Sequence, residues 1–165
     1  MNTLVLKPRI DSRSGENRVR SRIGLEADAV DVDSSVNLLD LVADACDRQP
    51  IHCVLVDESQ FLSAQQVDQL TEVVDALDIP VLAYGLRTDF LGMLFEGSRQ
   101  LLALADELRE IKTVCHCGRK ATMVVRFDDE GRPLRGGDQI QIGGNETYVS
   151  MCRRHFKESL KIPAG

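Results

Sequence analysis

The chain has 165 residues with a hydrophobic fraction of 43%, which suits one ordinary buried core and a small appendage. Aromatic residues supply only 4%, so that core must be built from Val, Leu, Ile and Ala. A formal net charge of −6 argues against a non-specific polyanion binder, and no apolar run approaches the ~20 residues of a membrane span. The first residues lack the basic end, apolar run and small-residue cleavage site of a signal peptide, so a cytoplasmic location is expected. Five cysteines in that compartment point to metal binding or free thiols rather than disulfides.

Residues 3–6 (TLVL) form a short apolar run ahead of Pro8 and are predicted as a buried strand. Residues 7–24 are polar and rich in Arg, Ser and Gly, which predicts a long loop. The apolar spacing over 36–46 predicts a helix ended by Pro50, and 52–56 (HCVLV) predicts a second strand. The strongest helix spans 63–77, where Ala64, Val67, Leu70, Val73, Val74 and Leu77 share one stripe and Ser63 with Gln66 makes a capping box. A strand over 81–84 follows. Then come a loop over 85–97 with Leu86, Phe90 and Phe95 exposed, a helix over 98–104 and a strand over 108–113. This alternation predicts an α/β fold with a largely parallel sheet. From Cys115 the chain turns rich in Cys, Gly and short β-like runs at 121–127, 139–142 and 147–151. A turn at Asp129, Glu130 and Gly131 suggests a hairpin, and a helix near 152–160 closes this small second lobe. The domains expected are therefore an α/β core over 1–112, a metal-binding domain over 113–160 and a tail over 161–165.

Cys115 and Cys117 are followed by Cys152 and His155. Thiolate and imidazole are the ligands zinc prefers, and four of them close a tetrahedral structural site. The two pairs fall on separate elements, as in a zinc ribbon with an inserted loop. A small lobe cannot bury much core, so a metal staple makes physical sense. His116 is read as a bystander, and Cys46 and Cys53 as core residues.

The run from Cys53 to Val56 ends in Asp57 and Glu58, a Walker-B-like layout. A strand of this kind delivers an Asp to the carboxyl edge of the sheet, where it can serve Mg²⁺ and nucleotide phosphates. The adjoining Glu58 is placed to act as general base toward a hydroxyl. Asp11 and Arg13 put a carboxylate and a guanidinium in the preceding loop, suited to phosphate or Mg²⁺ chemistry. Leu86, Phe90 and Phe95 offer apolar walls for a flat ring. Each of these signals, alone, also describes a solvated loop or a local core.

Four motifs occur in order: Val56 to Phe61 (VDESQF), Tyr84 to Phe90 (YGLRTDF), Cys115 to Ala121 (CHCGRKA), and Ile142 to Cys152 with its Gly143, Gly144, Asn145, Glu146, Tyr148 and Ser150. Together they resemble the thymidine kinases of the bacterial and cytosolic type, over nearly the whole chain. The resemblance implies a P-loop-kinase-like, RecA-like sheet carrying a small C-terminal zinc-ribbon and lasso domain. It implies that ATP gives its γ-phosphate to the 5′-hydroxyl of thymidine, in pyrimidine deoxynucleotide salvage for DNA synthesis. Glu58 would accept the proton. Asp57, with Ser59 and Gln60 beside it and Asp11 and Arg13 on the phosphate side, would serve Mg²⁺ and ATP. Phe61, Leu86, Phe90 and Phe95 would line the base side. Gln139, Ile140, Gln141, Ile142 and Tyr148 would belong to a lasso closing over thymidine. A homotetramer, thymidine triphosphate as feedback inhibitor, and no nucleic-acid or membrane partner complete the implication.

The resembled family opens with a strand, a phosphate loop of the G-x-x-x-x-G-K-[ST] kind and a helix. No Gly in this chain is followed by Lys, so no such loop lies within it. The expectation is a unit on the order of 30 residues ahead of Met1, a sheet incomplete at its N-terminus, and little activity from the bare chain. The alternatives are an inactive remnant serving as nucleoside-binding or subunit-interaction module, and a zinc-ribbon nucleic-acid module. The negative charge and scarce aromatics oppose the last.

Overall fold

The computed structural model describes residues 2–9, 18–20, 24, 26–139 and 147–161. The chain folds as two compact units, Met1–Arg87 with Phe95–Asp106, and Thr88–Leu94 with Glu107–Gly165.

The first unit is built on four parallel strands: β1 (Thr3–Pro8), β4 (Val30–Val32), β5 (Cys53–Val56) and β6 (Val81–Ala83), in the order β4-β1-β5-β6. In register, Leu4 faces Val54 and Leu6 faces Val56 across β1 and β5, while Val54 to Val56 run beside Val81 to Ala83. The apolar runs seen in the sequence thus become the sheet's interior. Leu6, Val54 and Val56 are fully buried with Leu38, Val42, Val67, Leu70 and Val73 from the helices.

Helix α1 (Leu38–Arg48) starts two residues later than the apolar pattern suggests. Asn37 caps it, its side-chain oxygen accepting from Leu39 N–H at 3.0 Å and Asp40 N–H at 3.2 Å. Such a cap contributes about 1 kcal/mol and fixes the first turn. Helix α2 (Ala64–Leu77) carries the expected capping box. Ser63 Oγ accepts from Gln66 N–H and Gln66 Oε1 accepts from Ser63 N–H, both at 3.2 Å. The Gln66 amide also donates to Asp33 O at 2.8 Å and Val36 O at 3.2 Å, tying the start of α2 to the turn before α1. Asp78 ends α2 in the left-handed region at φ 54°. Helix α3 (Glu96–Leu104) completes the unit.

Three expectations need correction here. The first strand runs on to Pro8, because a proline at the end of a ladder sacrifices no interior hydrogen bond, and Arg9 N–H resumes bonding to Val32 O at 2.7 Å. The span read as one loop over 7–24 also contains β2 (Arg18–Arg20), which pairs antiparallel with β3 (Glu26–Asp28), where Arg18 and Glu26 form a 2.9 Å ion pair. Strand β4 was not predicted: three residues interrupted by Asp31 are too short for a periodic signal. Third, the strand over 108–113 is not part of the sheet. Leu108 and Ile111 are 60% and 74% exposed, and only β7 (Thr113–Val114) is extended, pairing in the other unit with β8 (Lys120–Ala121). The charged residues Glu107, Arg109, Glu110 and Lys112 keep that stretch in water, with Arg109 on Glu107 and Lys120 on Glu110.

In the second unit β9 (Met123–Phe127) pairs antiparallel with β10 (Thr147–Met151), and α4 (Arg153–Leu160) follows. Val125, Met151, Ala121 and Phe156 bury one small cluster with Cys115 and Cys152. The turn after β9 is the expected one, with Gly131 at φ 74° and Asp128 Oδ1 accepting from Glu130 and Arg132 N–H at 3.0 and 2.8 Å. Gln139 lies in a bend rather than a strand, and residues 140–142 lie outside those described.

Candidate functional site

Strand β5 ends at the sheet's carboxyl edge, and the ladder continues one step beyond it: Asp57 N–H donates to Leu6 O at 3.0 Å. Asp57 Oδ1 then accepts from Glu58 N–H at 3.0 Å. Glu58 itself sits in the left-handed region, φ 52° and ψ 36°. A non-glycine residue there costs on the order of 1–2 kcal/mol, and such strain collects at working sites. A 3₁₀ turn over Ser59–Phe61 follows, anchored by Ser59 N–H to Tyr84 O at 2.8 Å.

Gln60 locks this corner. Its side chain is 2% exposed; Oε1 accepts from Leu86 N–H at 3.0 Å and Nε2 donates to Glu58 Oε2 at 2.6 Å. The backbone donor fixes which end of the amide is oxygen, so the NH₂ must face the carboxylate. Two glycines allow the close approach. A Cβ on Gly85 would sit 2.5 Å from Gln60 Oε1 and 2.7 Å from Ser59 Oγ; one on Gly97 would sit 2.6 Å from Ser59 O. Sequence reading missed both glycines, whose only signal was their place at the two ends of the 85–97 loop.

The ring-lining candidates divide between the units. In the first, Phe61 and Phe95 pack edge to face at 5.5 Å, and Ser98 Oγ donates to Leu86 O at 2.6 Å. Leu86 is exposed, but Phe95 is buried, contrary to the expected exposure of all three. In the second, Phe90 is also buried, with the Arg126 guanidinium 5.0 Å above its ring. Gln139 donates to Asp89, and Tyr148 stands exposed on β10 opposite Arg126. Asp11, Arg13, Ile140, Gln141 and Ile142 lie outside the described residues. Asp89 and Arg126 were not singled out from sequence, since a charged residue in a loop or short strand usually faces water. Here they are 5% and 1% exposed.

The four metal candidates converge. Their ligand atoms all lie within 4.8 Å of one another. Cys115 Sγ is 3.3 Å from His155 Nδ1, Cys152 Sγ is 3.6 Å from the same nitrogen, and Cys117 Sγ is 3.9 Å from Cys152 Sγ. A tetrahedron with zinc's bond lengths has edges of about 3.5–3.8 Å, so the donor set and its spacing fit that ion. The first pair comes from a knuckle closed by Gly118 at φ 80°, where Cys115 N–H donates to Arg119 O at 2.8 Å. Cys152 caps α4 and His155 stands in its first turn. The Cys117 N–H, then the His155 ring, pull the Cys115 thiol down to about 5, favouring the thiolate a metal takes. At Cys117 the Arg119 N–H pulls downward, but burial and the two neighbouring sulfurs outweigh it and leave that thiol raised. His116 lies outside the four, its ring stacked on His155 at 4.2 Å. Cys53 is buried in the first unit, where desolvation raises its thiol.

A parallel sheet with a carboxylate pair at its carboxyl edge, in a chain that also carries a Cys₃His cluster, defines the class: an α/β protein with a small second unit built around a candidate metal site. Comparison with known proteins narrows it. The family model described as thymidine kinase matches residues 1–156. A thymidine kinase of Rhodopirellula baltica is 61% identical over 160 residues, 97% of this chain and 76% of that protein. The Vibrio cholerae thymidine kinase is 59% identical over 160 residues, 97% of this chain and 83% of its own length. That of Shewanella oneidensis is 59% identical over 158 residues, 96% and 82% of the two chains. The chain belongs to the thymidine kinase family.

Proposed function

We propose that this protein transfers the γ-phosphate of ATP to the 5′-hydroxyl of thymidine, with Glu58 as the proton acceptor. The observation that carries the reading is the Glu58–Gln60 pair. A carboxylate at the carboxyl end of a central parallel strand is aimed by a buried amide whose own orientation is fixed from the backbone. A general base must be held within hydrogen-bond reach of the proton it takes, and positioning supplies much of the catalysis in phosphoryl transfer.

Asp57 would hold Mg²⁺ with the nucleotide, Ser59 and Gln60 standing beside it and Asp11 and Arg13 on the phosphate side. Mg²⁺ held by these residues would supply neutralisation of the phosphate charge. Phe61, Leu86, Phe90 and Phe95 would form the base side. Gln139, Ile140, Gln141, Ile142 and Tyr148 would close over the nucleoside, where few well-placed polar groups read the imide edge. Zinc at Cys115, Cys117, Cys152 and His155 would staple the second unit. The same reading includes a RecA-like core over 1–112, a zinc-ribbon and lasso domain over 113–160 and a tail over 161–165. It also includes a cytoplasmic homotetramer inhibited by thymidine triphosphate. No helix among the described residues is long and apolar enough to cross a membrane.

The test is transfer of labelled γ-phosphate from ATP to thymidine by the native protein. Labelled thymidine monophosphate is the expected product; label appearing only in inorganic phosphate would overturn the reading.

A further inference from the structure

His155 meets the other metal candidates through one ring nitrogen. Its Nδ1 is 3.3 Å from Cys115 Sγ and 3.6 Å from Cys152 Sγ. Its other nitrogen, Nε2, faces Glu158 Oε2 at 3.8 Å, three residues along α4. The second oxygen of that carboxylate is already taken. Arg154 Nε donates to Glu158 Oε1 at 2.7 Å, at the i to i+4 spacing that makes helix residues neighbours. The His116 ring lies over that of His155 at 4.2 Å with 17° between the planes, so the imidazole is also held in its plane.

This arrangement selects a tautomer. A neutral imidazole carries one ring proton, so a ring that gives its Nδ1 lone pair to a metal keeps the hydrogen on Nε2. An ionised carboxylate only accepts, which is what an Nε2–H needs. We infer that Glu158 is a positioning residue for the Cys₃His cluster: it accepts from His155 Nε2–H, fixes the tautomer that presents Nδ1 to the metal, and raises the basicity of that nitrogen. Histidine ligands are commonly oriented by an outer carboxylate of this kind. The 3.8 Å separation exceeds a direct hydrogen bond, and a small rotation of the half-exposed Glu158 side chain or one bridging water closes it. The inference rests on the reading that the four side chains hold zinc.

Two measurements on the full chain test it. In the zinc-loaded unaltered protein, long-range ¹H–¹⁵N NMR should show His155 Nδ1 bound to metal and Nε2 protonated, a result that needs no variant to fold. In Glu158→Ala the Nε2–H signal should be lost to exchange with water. Competition for zinc against a chelator of known affinity should then show Glu158→Ala binding about 10–100-fold more weakly. Glu158→Gln should lose as much, because Arg154 keeps the single amide oxygen and the NH₂ is left facing Nε2–H, donor to donor. Adding Arg154→Ala to Glu158→Gln frees the amide to turn its oxygen to the ring and should recover most of the affinity. Arg154→Ala alone leaves the carboxylate in place and should stay close to normal. An ordinary surface pair on α4 gives the opposite order, since the double variant has lost both partners.

Unchanged zinc affinity in Glu158→Ala, or a proton on Nδ1 with Nε2 on the metal, would overturn this inference and leave the zinc site standing. A double variant no better than Glu158→Gln alone would overturn it too, since a purely structural role for Glu158 gives no rescue. Failure of the unaltered protein to hold zinc would overturn the metal reading and this inference with it.

Discussion

Gly97→Ala measures how tightly the acidic corner is held. The new methyl carbon would lie 2.6 Å from Ser59 O, 2.8 Å from Leu62 O and 3.0 Å from Gln60 O, all backbone atoms of the turn that follows Glu58. Ordinary contact begins at 3.4 Å, so Ser59 O must retreat by about 0.8 Å. Overpacking of this kind costs about 1–3 kcal/mol, and alanine's better helix propensity returns at most about 1. With that gain subtracted in full the net loss is about 0–2 kcal/mol, a fall of up to about 8–16 °C in the first unit's melting temperature. The displaced carbonyls belong to the turn that carries Gln60 and so aims Glu58. Misplacement of a catalytic group by nearly 1 Å costs on the order of a hundredfold in rate. Thermal unfolding followed by circular dichroism, with turnover measured on the same samples, reads both effects. Gly136→Ala is the control, because a Cβ there meets nothing within 4 Å. A Gly97→Ala protein that melts with the unaltered one and turns over at its rate would refute the close-approach argument.

Two further outcomes are expected. Cys152→Ala removes one of four converging sulfur and nitrogen ligands, so bound zinc should fall from one to none per chain by elemental analysis, and the second unit should lose its near-ultraviolet signal while α2 and the parallel sheet persist; retained stoichiometric zinc would contradict the ligand set. Asp128 is held below the usual carboxylate range by the Arg132 N–H and then the Arg132 side chain. Its folded-state pKa is depressed, so its stabilising effect is complete above the unfolded carboxylate value and is lost as pH falls through the lower folded one. Asp128→Asn should therefore be less stable to urea at pH 6 than the unaltered protein, with the gap closing toward pH 3; a gap that widens on acidification would contradict this.

Much of the first unit is legible in the sequence because its signals are local. The run from Cys53 to Val56, the stripe from Ala64 to Leu77 and the Ser63 capping box each declare their conformation within a few residues. The metal cluster is legible for a similar reason: two ligand pairs at short spacing need only be brought together by one fold. The elements that escaped depend on distant partners. Strand β4 is three residues that become a strand only beside β1, and β2 becomes one only beside β3. Conversely, Leu108 and Ile111 look like a strand's apolar face but find no sheet to join. At the candidate site, Asp57 and Glu58 follow from the strand that carries them. The left-handed φ of Glu58, the amide lock through Leu86 N–H and the burial of Asp89 against Gln139 are tertiary facts with no local sequence signature.

The measurement that bears most directly on this account is the effect of Glu58→Gln on the native protein. Glutamine keeps the size of the side chain and its reach to Gln60 but cannot accept the hydroxyl proton as a carboxylate does. The account predicts a fall in kcat for thymidine phosphorylation of about 10²–10⁴-fold, with thymidine and ATP affinities near those of the unaltered protein. A kcat within a few-fold of normal would contradict it and move the general base away from the end of β5.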